Sequence, residues 1–121
     1  MVRGKILIVD DSPTDLALMV APLRREGYDI VTATDGEEAL RKVGEEQPNC
    51  VVLDVVMPRK NGFQVCRTIK NSTESSHIPV ILLTSKSERT DQLWGKRQGA
   101  DVYLTKPFDP NVLLTEIRQL L

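Results

Sequence analysis

The sequence has few of the side chains that bind transition metals or crosslink small secreted folds. It contains two cysteines and one histidine among 121 residues. Cys50 and Cys66 match no zinc or redox spacing, so we expect both to be reduced residues packed in or near the core. His77 stands in a polar stretch, which argues against acid–base or metal chemistry at this residue.

Long apolar segments and an excess of charge of one sign are missing too. No apolar run approaches the roughly 20 residues that cross a bilayer, and no signal-peptide core follows Met1. Lys and Arg total 16 against 17 Asp and Glu, so the charge balance favours neither direct nucleic-acid binding nor membrane insertion. With 40% hydrophobic residues, the chain fits a single domain spanning residues 1–121. We expect this domain to be cytoplasmic.

Strand and helix patterns alternate along the whole chain. Short apolar runs predict five strands, at Lys5–Val9, Ile30–Ala33, Val51–Asp54, Val80–Thr84 and Val102–Thr105. Segments with a 3.6-residue period predict five helices, from about Thr14 to Glu26, Gly36 to Glu46, Gly62 to Asn71, Glu88 to Gln98 and Pro110 to Leu121.

The start of the first helix is the best marked boundary. Ser12 is a good capping residue, Pro13 suits the first helical position, and Asp15 favours the first turn. Gly27 suits the end of the same helix, and Asp109 is a plausible cap for the last one. Five strand–helix units of this kind predict an α/β domain with a doubly wound, five-stranded parallel sheet and five helices.

Polar side chains close four of the predicted strands. Asp10 and Asp11 follow the first strand, Asp54 the third, Thr84 the fourth, and Lys106 the fifth. Ligands of open parallel sheets bind beyond the carboxyl ends of the strands. We therefore expect one crevice to contain three carboxylates, a hydroxyl and an ammonium group.

Each of these residues also has an ordinary structural explanation. Asp10 or Asp11 could cap the first helix, and Asp54 could form a turn. Thr84 could be a common strand residue and Lys106 a surface lysine. Four complementary polar strand ends are nevertheless an improbable coincidence, so we favour a shared functional site.

A hard divalent cation would resolve the repulsion among three neighbouring carboxylates. Like charges close together raise carboxyl pKa values, and only one lysine is predicted nearby. Mg²⁺ binds oxygen ligands, whereas a zinc site would use Cys or His. Mg²⁺ also neutralises charge when a phosphoryl group approaches a carboxylate.

The strand-end segments resemble the receiver domains of two-component response regulators, which are of the CheY type and flavodoxin-like. The segments "IVDDSP", "VVLDVVMPRKNG", "VILLTSK" and "YLTKPF" occur in the family's order across essentially the whole chain. The resemblance implies a signalling switch that is not an enzyme, although it catalyses its own phosphorylation and dephosphorylation. It implies a histidine kinase or phosphotransfer domain as the phosphoryl source.

The resemblance also implies roles for individual residues. Asp54 matches the phosphoryl acceptor, and Asp10 and Asp11 match the acidic pair that places Mg²⁺. Of that pair, Asp11 is the expected direct ligand, and Asp10 acts largely through water. The backbone carbonyl of Val56 matches a further metal ligand.

Other matched residues concern the bound phosphoryl group and the signal. Thr84 matches the hydroxyl that bonds phosphoryl oxygens, and Lys106 matches the ammonium that pairs with them. Pro107 is the expected cis-proline that aims Lys106. Tyr103 matches the aromatic switch residue, although it could also be a half-buried strand aromatic. A downstream protein is then expected to bind the surface formed by the fourth helix, fifth strand and fifth helix.

A narrower resemblance lies in "TDQLWGKRQGADVYLTKPF". This segment is similar to single-domain regulators of type IV pilus, or twitching, chemosensory systems. Gly95 is unusual inside a helix because Gly weakens helices by about 1 kcal/mol relative to Ala. Its neighbour Trp94 is either a packing anchor, which we slightly favour, or part of a partner surface.

Two positions beside the site bear on the lifetime of a phosphoryl group. Val56 and Lys86 occupy places that tune dephosphorylation in the family. An apolar side chain at Val56 cannot orient an attacking water, so we expect slow self-hydrolysis.

Three other functions remain open from the sequence. The domain could be a phosphate sink for a shared kinase, or the receiver portion of a longer DNA-binding regulator. It could also be a phosphatase that uses Asp54 as a nucleophile. Such enzymes usually carry an acid two residues after the nucleophile, where this chain has Val56, so we disfavour this reading.

Overall fold

The computed structural model describes residues 3–121, which form five strands and five helices in strict alternation. The strands are β1 (Lys5–Val9), β2 (Asp29–Ala33), β3 (Cys50–Leu53), β4 (Val80–Thr84) and β5 (Val102–Thr105). The helices are α1 (Pro13–Arg25), α2 (Gly36–Glu46), α3 (Gly62–Asn71), α4 (Arg89–Arg97) and α5 (Pro110–Leu120). The predicted α/β class and all ten elements are confirmed, with boundaries that differ by at most one residue.

The sheet is parallel, with the strand order β2-β1-β3-β4-β5. The winding direction reverses between β1 and β3, which is where ligands of such sheets bind. Val9 of β1 is the register partner of Leu53 of β3. Asp10 and Asp54 directly follow these two strands. They therefore lie side by side where the winding direction reverses.

Successive residues of β1 pack into opposite layers, as expected for a strand buried on both faces. Ile6 and Ile8 join a buried cluster with residues of α1 and α5, whereas Leu7 and Val9 join one with residues of α2 and α3. Both cysteines are buried and free, which confirms their predicted place in the core. Burial raises the pKa of each thiol to about 12.

The predicted helix caps are present. The Ser12 hydroxyl accepts a hydrogen bond from the Asp15 amide at 3.3 Å, and Pro13 begins α1. Gly27 follows α1 with a φ of +95°, a conformation that glycine adopts readily. The Asp109 carboxylate accepts from the Asn111 amide at 2.9 Å at the start of α5.

Candidate functional site

The ammonium group of Lys106 joins the carboxylates at the carboxyl end of the sheet. Its Nζ lies 2.7 Å from Asp10 Oδ2 and 3.0 Å from Asp54 Oδ2. It also lies 2.7 Å from Asp15 Oδ2. The peptide bond between Lys106 and Pro107 is cis, as the resemblance implied. The predicted meeting of Asp10, Asp54 and Lys106 is therefore present, with Asp15 as an additional carboxylate.

The Asp54 carboxylate is oriented by the backbone that follows it. Its Oδ1 accepts hydrogen bonds from the amides of Val55, at 2.6 Å, and Val56, at 3.3 Å. Its own amide donates to the Val9 carbonyl at 3.0 Å, which continues the ladder between β1 and β3. These bonds turn Oδ2 towards Lys106 and leave the buried carboxylate with little rotational freedom.

Gly62 allows the loop after β3 to turn back tightly beside Asp54. A Cβ at position 62 would lie 2.1 Å from the Asp54 carbonyl oxygen. The Gly62 amide donates to the Val55 carbonyl at 2.8 Å. Any larger residue at the start of α3 would therefore displace the backbone that holds the Asp54 side chain.

Burial and charge act in opposite directions on Asp10. Its side chain is fully buried, and this burial raises the pKa of the carboxyl group. Hydrogen bonds from Lys106 and from the Ser12 amide, at 2.9 Å, lower the Asp10 pKa in part. Burial is the main cause of the raised Asp10 pKa, and the negative charge of Asp54 is the smallest of the contributions.

The Lys106 ammonium is held in its charged form by the acids around it. Burial alone would lower the pKa of Lys106, but hydrogen bonds to Asp10, Asp15 and Asp54 raise it further than burial lowers it. Lys106 therefore presents a permanent positive charge beside Asp54 at neutral pH.

Three carboxylates form a group that suits a hard cation. One oxygen each from Asp10, Asp11 and Asp54 can be chosen so that all lie within 4.8 Å of one another. Asp10 and Asp54 are buried, and Asp11 is exposed. A set composed of oxygen donors fits Mg²⁺ and does not fit zinc.

A short chain of hydrogen bonds links Thr84 to Tyr103. The hydroxyl of the buried Thr84 accepts from the Lys86 amide at 3.4 Å. The carbonyl of Lys86 accepts from the Tyr103 hydroxyl at 2.7 Å. Lys86 therefore links Thr84, through its backbone amide, to Tyr103 of β5, through its backbone carbonyl. The Tyr103 ring is partly buried and packs against the core cluster that contains Leu82.

The unusual Gly95 has a packing explanation. A Cβ at position 95 would lie 2.7 Å and 2.9 Å from two ring carbons of Tyr103, so only glycine lets α4 approach this ring so closely. The preference for Trp94 as a packing anchor is wrong, because this residue is 48% exposed. Trp94 is therefore exposed at the surface of α4, although its neighbour Gly95 is buried.

The outer side of α4 is apolar and basic. Leu93 and Trp94 are exposed and line a shallow depression together with Thr90, Lys96 and Arg97. This leaves the alternative in which Trp94 belongs to a partner surface.

The sequence reasoning missed one member of the site, Asp15. It was interpreted only as a favourable charge in the first turn of α1. Its position, three residues after the capping Ser12, is where a side chain can reach back towards the strand ends. That spacing was a usable signal, but the contact depends on where Lys106 lies, which only the fold determines.

No helix among residues 3–121 combines the length and the apolar character that crossing a membrane requires.

Comparison with known proteins gives one consistent result. Residues 6–118 match the family described as the response regulator receiver domain. The chain is 45% identical to Protein PilH of Pseudomonas aeruginosa over 118 residues, which make up 98% of each sequence. It is also 41% identical to the alkaline phosphatase synthesis transcriptional regulatory protein PhoP of Bacillus subtilis, over 97% of this chain and 48% of that protein.

The structural comparison agrees. The chemotaxis response regulator CheY4 of Vibrio cholerae superimposes with a TM-score of 0.90 at 32% identity, over 98% of each chain. The match extends from β1 to α5 and so includes every strand end at the site. On the sequence match and this fold together, the chain belongs to the family of response regulator receiver domains.

Proposed function

We propose that Asp54 accepts a phosphoryl group from a histidine kinase or a phosphotransfer domain in a Mg²⁺-dependent reaction. The observation that carries this proposal is the meeting of Asp10, Asp54 and Lys106 through bonds of 2.7 Å and 3.0 Å at the Lys106 ammonium. This arrangement places a nucleophilic carboxylate beside a fixed positive charge. Receiver domains are signalling switches rather than ordinary enzymes, and the proposal gives this chain that role.

The metal would be held by the carboxylates of Asp10, Asp11 and Asp54 and by the backbone carbonyl of Val56. When bound, Mg²⁺ neutralises negative charge as a phosphoryl group and a carboxylate approach each other. The grouping of three carboxylate oxygens supports this set.

The transfer itself needs few catalytic groups. An Asp54 carboxylate oxygen attacks phosphorus and forms an acyl phosphate. The bond between phosphorus and the donor's histidine nitrogen breaks, and that nitrogen keeps the electron pair. Lys106 pairs with the phosphoryl oxygens, because its ammonium already lies 3.0 Å from the acceptor carboxylate.

The signal would pass from Thr84 to Tyr103. A phosphoryl group on Asp54 offers the Thr84 hydroxyl a charged acceptor, which is stronger than the contact of 3.4 Å with the Lys86 amide. Moving Thr84 would change the Lys86 segment and the hydrogen bond that Tyr103 donates to it. The surface formed by α4, β5 and α5 would then change its shape towards a protein partner. An apolar partner segment carrying acidic residues would suit Leu93, Trp94 and Arg97.

The similarity to PilH favours a role in chemotaxis-like or pilus-motility signalling in the cytoplasm. That likeness extends over 98% of both sequences. The similarity to PhoP favours a second candidate, the receiver portion of a longer DNA-binding regulator, because this chain spans about half of that protein. Both candidates use the same phosphorylation site.

Mass spectrometry after exposure to acetyl phosphate and Mg²⁺ tests the proposal. The unmodified protein should gain one persistent phosphoryl group, and Asp54→Asn should gain none because it lacks the nucleophilic carboxylate. Asp29→Asn is a matched control, since Asp29 is an exposed residue at the opposite end of the sheet. Equal labelling of Asp54→Asn and Asp29→Asn would contradict the assignment. Rapid multiple turnover without a persistent phosphoprotein would indicate a phosphatase instead.

A further inference from the structure

Lys106 has no free hydrogen-bond donor in this arrangement. An ammonium group offers three N–H donors and no acceptor. The three are directed to Asp10, Asp15 and Asp54, at 2.7 Å, 2.7 Å and 3.0 Å. A phosphoryl oxygen that pairs with Lys106 must therefore take the place of one carboxylate.

Asp15 is the carboxylate that is easiest to displace. The Asp10 side chain is fully buried and that of Asp54 is 9% exposed, whereas the side chain of Asp15 is 35% exposed. A released Asp15 can be hydrated at once, whereas the fully buried Asp10 side chain cannot be hydrated where it lies. Asp54 is itself the group that carries the phosphoryl oxygens.

The contact between the Asp15 carboxylate and Lys106 is independent of the role of Asp15 in starting α1. As the third residue of α1, Asp15 uses its backbone amide for the bond to Ser12. Its negative charge would favour the helix start whether or not its carboxylate reached another residue. The start of the helix therefore does not explain why the Asp15 carboxylate contacts Lys106.

We infer that Asp15 competes with the phosphoryl group for the Lys106 ammonium and is a positioning residue that weakens phosphoryl binding at Asp54. The inference rests on the proposed phosphorylation of Asp54. It also means that Lys106 separates from the first turn of α1 when the site is filled.

Titration with beryllofluoride at saturating Mg²⁺, followed by amide NMR, tests the inference. Asp15→Asn should bind beryllofluoride about two- to tenfold more tightly, as expected from removing one partly exposed charged competitor. Mg²⁺ is kept saturating so that weaker Mg²⁺ binding by the less acidic variant does not change the measured beryllofluoride affinity. Asp15→Ser, whose side chain is too short to reach Lys106, should show at least the same gain and covers the case in which the Asn variant folds poorly.

Glu37→Gln is the matched control. Glu37 is an acidic residue in the first turn of α2, and its side chain is 60% exposed. Its removal should leave beryllofluoride affinity unchanged. A purely structural role for Asp15 would lower thermal stability and leave the affinity at the control value.

A second readout needs neither metal nor phosphoryl mimic. The ¹⁵N resonance of the Lys106 ammonium should shift in Asp15→Asn, and its protons should exchange faster with water, because one of three acceptors is weakened. Unchanged or weaker beryllofluoride binding by both Asp15 variants would overturn the inference while leaving phosphorylation of Asp54 intact. Absence of beryllofluoride binding by the unmodified protein would overturn the proposed function and the inference together.

Discussion

The hydroxyl of Tyr103 donates a 2.7 Å hydrogen bond to the backbone carbonyl of Lys86. This bond joins β5 to the segment between β4 and α4, at a residue two positions after Thr84. Because Tyr103 is also packed against Gly95, one side chain contacts both α4 and the loop that precedes it. The position of the ring therefore depends on both segments.

The first prediction concerns the ionisation of Tyr103. Burial, followed by the charges of Asp91 and Asp54, raises the pKa of Tyr103 from 10.0 to about 12. As pH rises above 10, the unfolded chain loses this proton before the folded one does. The contribution of Tyr103 to stability is therefore fully present below pH 10 and is lost as pH rises towards 12.

Ultraviolet absorption of tyrosinate, compared between the unmodified protein and Tyr103→Phe, isolates this titration. The difference should rise near pH 12, and the stability of Tyr103→Phe should fall less steeply above pH 10. A difference titration centred near pH 10 would show that the Tyr103 hydroxyl is not buried in solution as it is in this structure.

The second prediction concerns transmission of the signal. Beryllofluoride with Mg²⁺ should shift amide NMR signals at Thr84, Lys86 and Tyr103 and along α4, because the hydrogen bonds through Lys86 connect them. A population shift of this kind needs a difference of only a few kcal/mol between the two forms. Trp94 fluorescence should change as well, since Trp94 lies on α4.

Tyr103→Phe is the control for that experiment. It keeps the ring but removes the hydroxyl, so shifts in α4 should shrink while those at Asp54 remain. Shifts confined to Asp10, Asp11, Asp54 and Lys106 in the unmodified protein would favour the phosphate-sink function over the switch.

The third prediction concerns Gly95. Ala is the better helix former by about 1 kcal/mol, yet a Cβ at position 95 would lie 2.7 Å from the Tyr103 ring. Overpacking of this kind costs about 1–3 kcal/mol. Gly95→Ala should therefore fail to stabilise the protein and should push the Tyr103 ring outward.

Gly44→Ala in α2 provides a matched control, because a Cβ there has no heavy atom within 4 Å. It should stabilise the fold by about 1 kcal/mol in urea denaturation. In a double-mutant cycle, Tyr103→Ala should recover most of the loss in Gly95→Ala. Equal stabilisation by both alanines would show that the ring and α4 are not in contact.

The fold was predictable because its signals are local. Short continuous apolar runs such as Ile6–Val9 are typical of strands buried on both faces, and caps such as Ser12 identify helix starts from neighbouring residues. The meeting of Asp10, Asp54 and Lys106 was predictable because parallel strands bring their carboxyl ends to one edge. Their assigned roles in phosphoryl transfer remain predictions.

What the sequence could not show depends on contacts between distant segments. Asp15 is 91 residues from Lys106, and the contact requires both the exit angle of α1 and the direction of the loop after β5. In the sequence, Gly95 is only a poor helix former. The reason for a glycine at this position becomes clear once the fold places the Tyr103 ring against it. Trp94 was misassigned because hydrophobicity alone does not tell which side of a short helix faces the core.

The fourth prediction concerns the metal. Asp11→Ala should weaken Mg²⁺ binding, measured by calorimetry, much more than Ser12→Ala does, because only Asp11 adds a carboxylate to the group of three. Ser12→Ala should instead lower stability by about 1 kcal/mol, since it removes the helix cap. Phosphorylation by acetyl phosphate should fall with Mg²⁺ affinity. Equal Mg²⁺ affinity in the two variants would leave Asp11 no role in the metal site.

The two sides of α4 have different roles, because the close approach to Tyr103 involves only the side that contains Gly95. Its inner side, at Gly95, must stay small for the ring to fit, whereas Leu93 and Trp94 are exposed at its surface. Substitutions of Leu93 and Trp94 can therefore change which protein binds this surface without altering the packing of Tyr103 against Gly95. New signalling connections could be engineered, or could diverge after duplication, by altering one helix side and leaving the phosphorylation chemistry untouched.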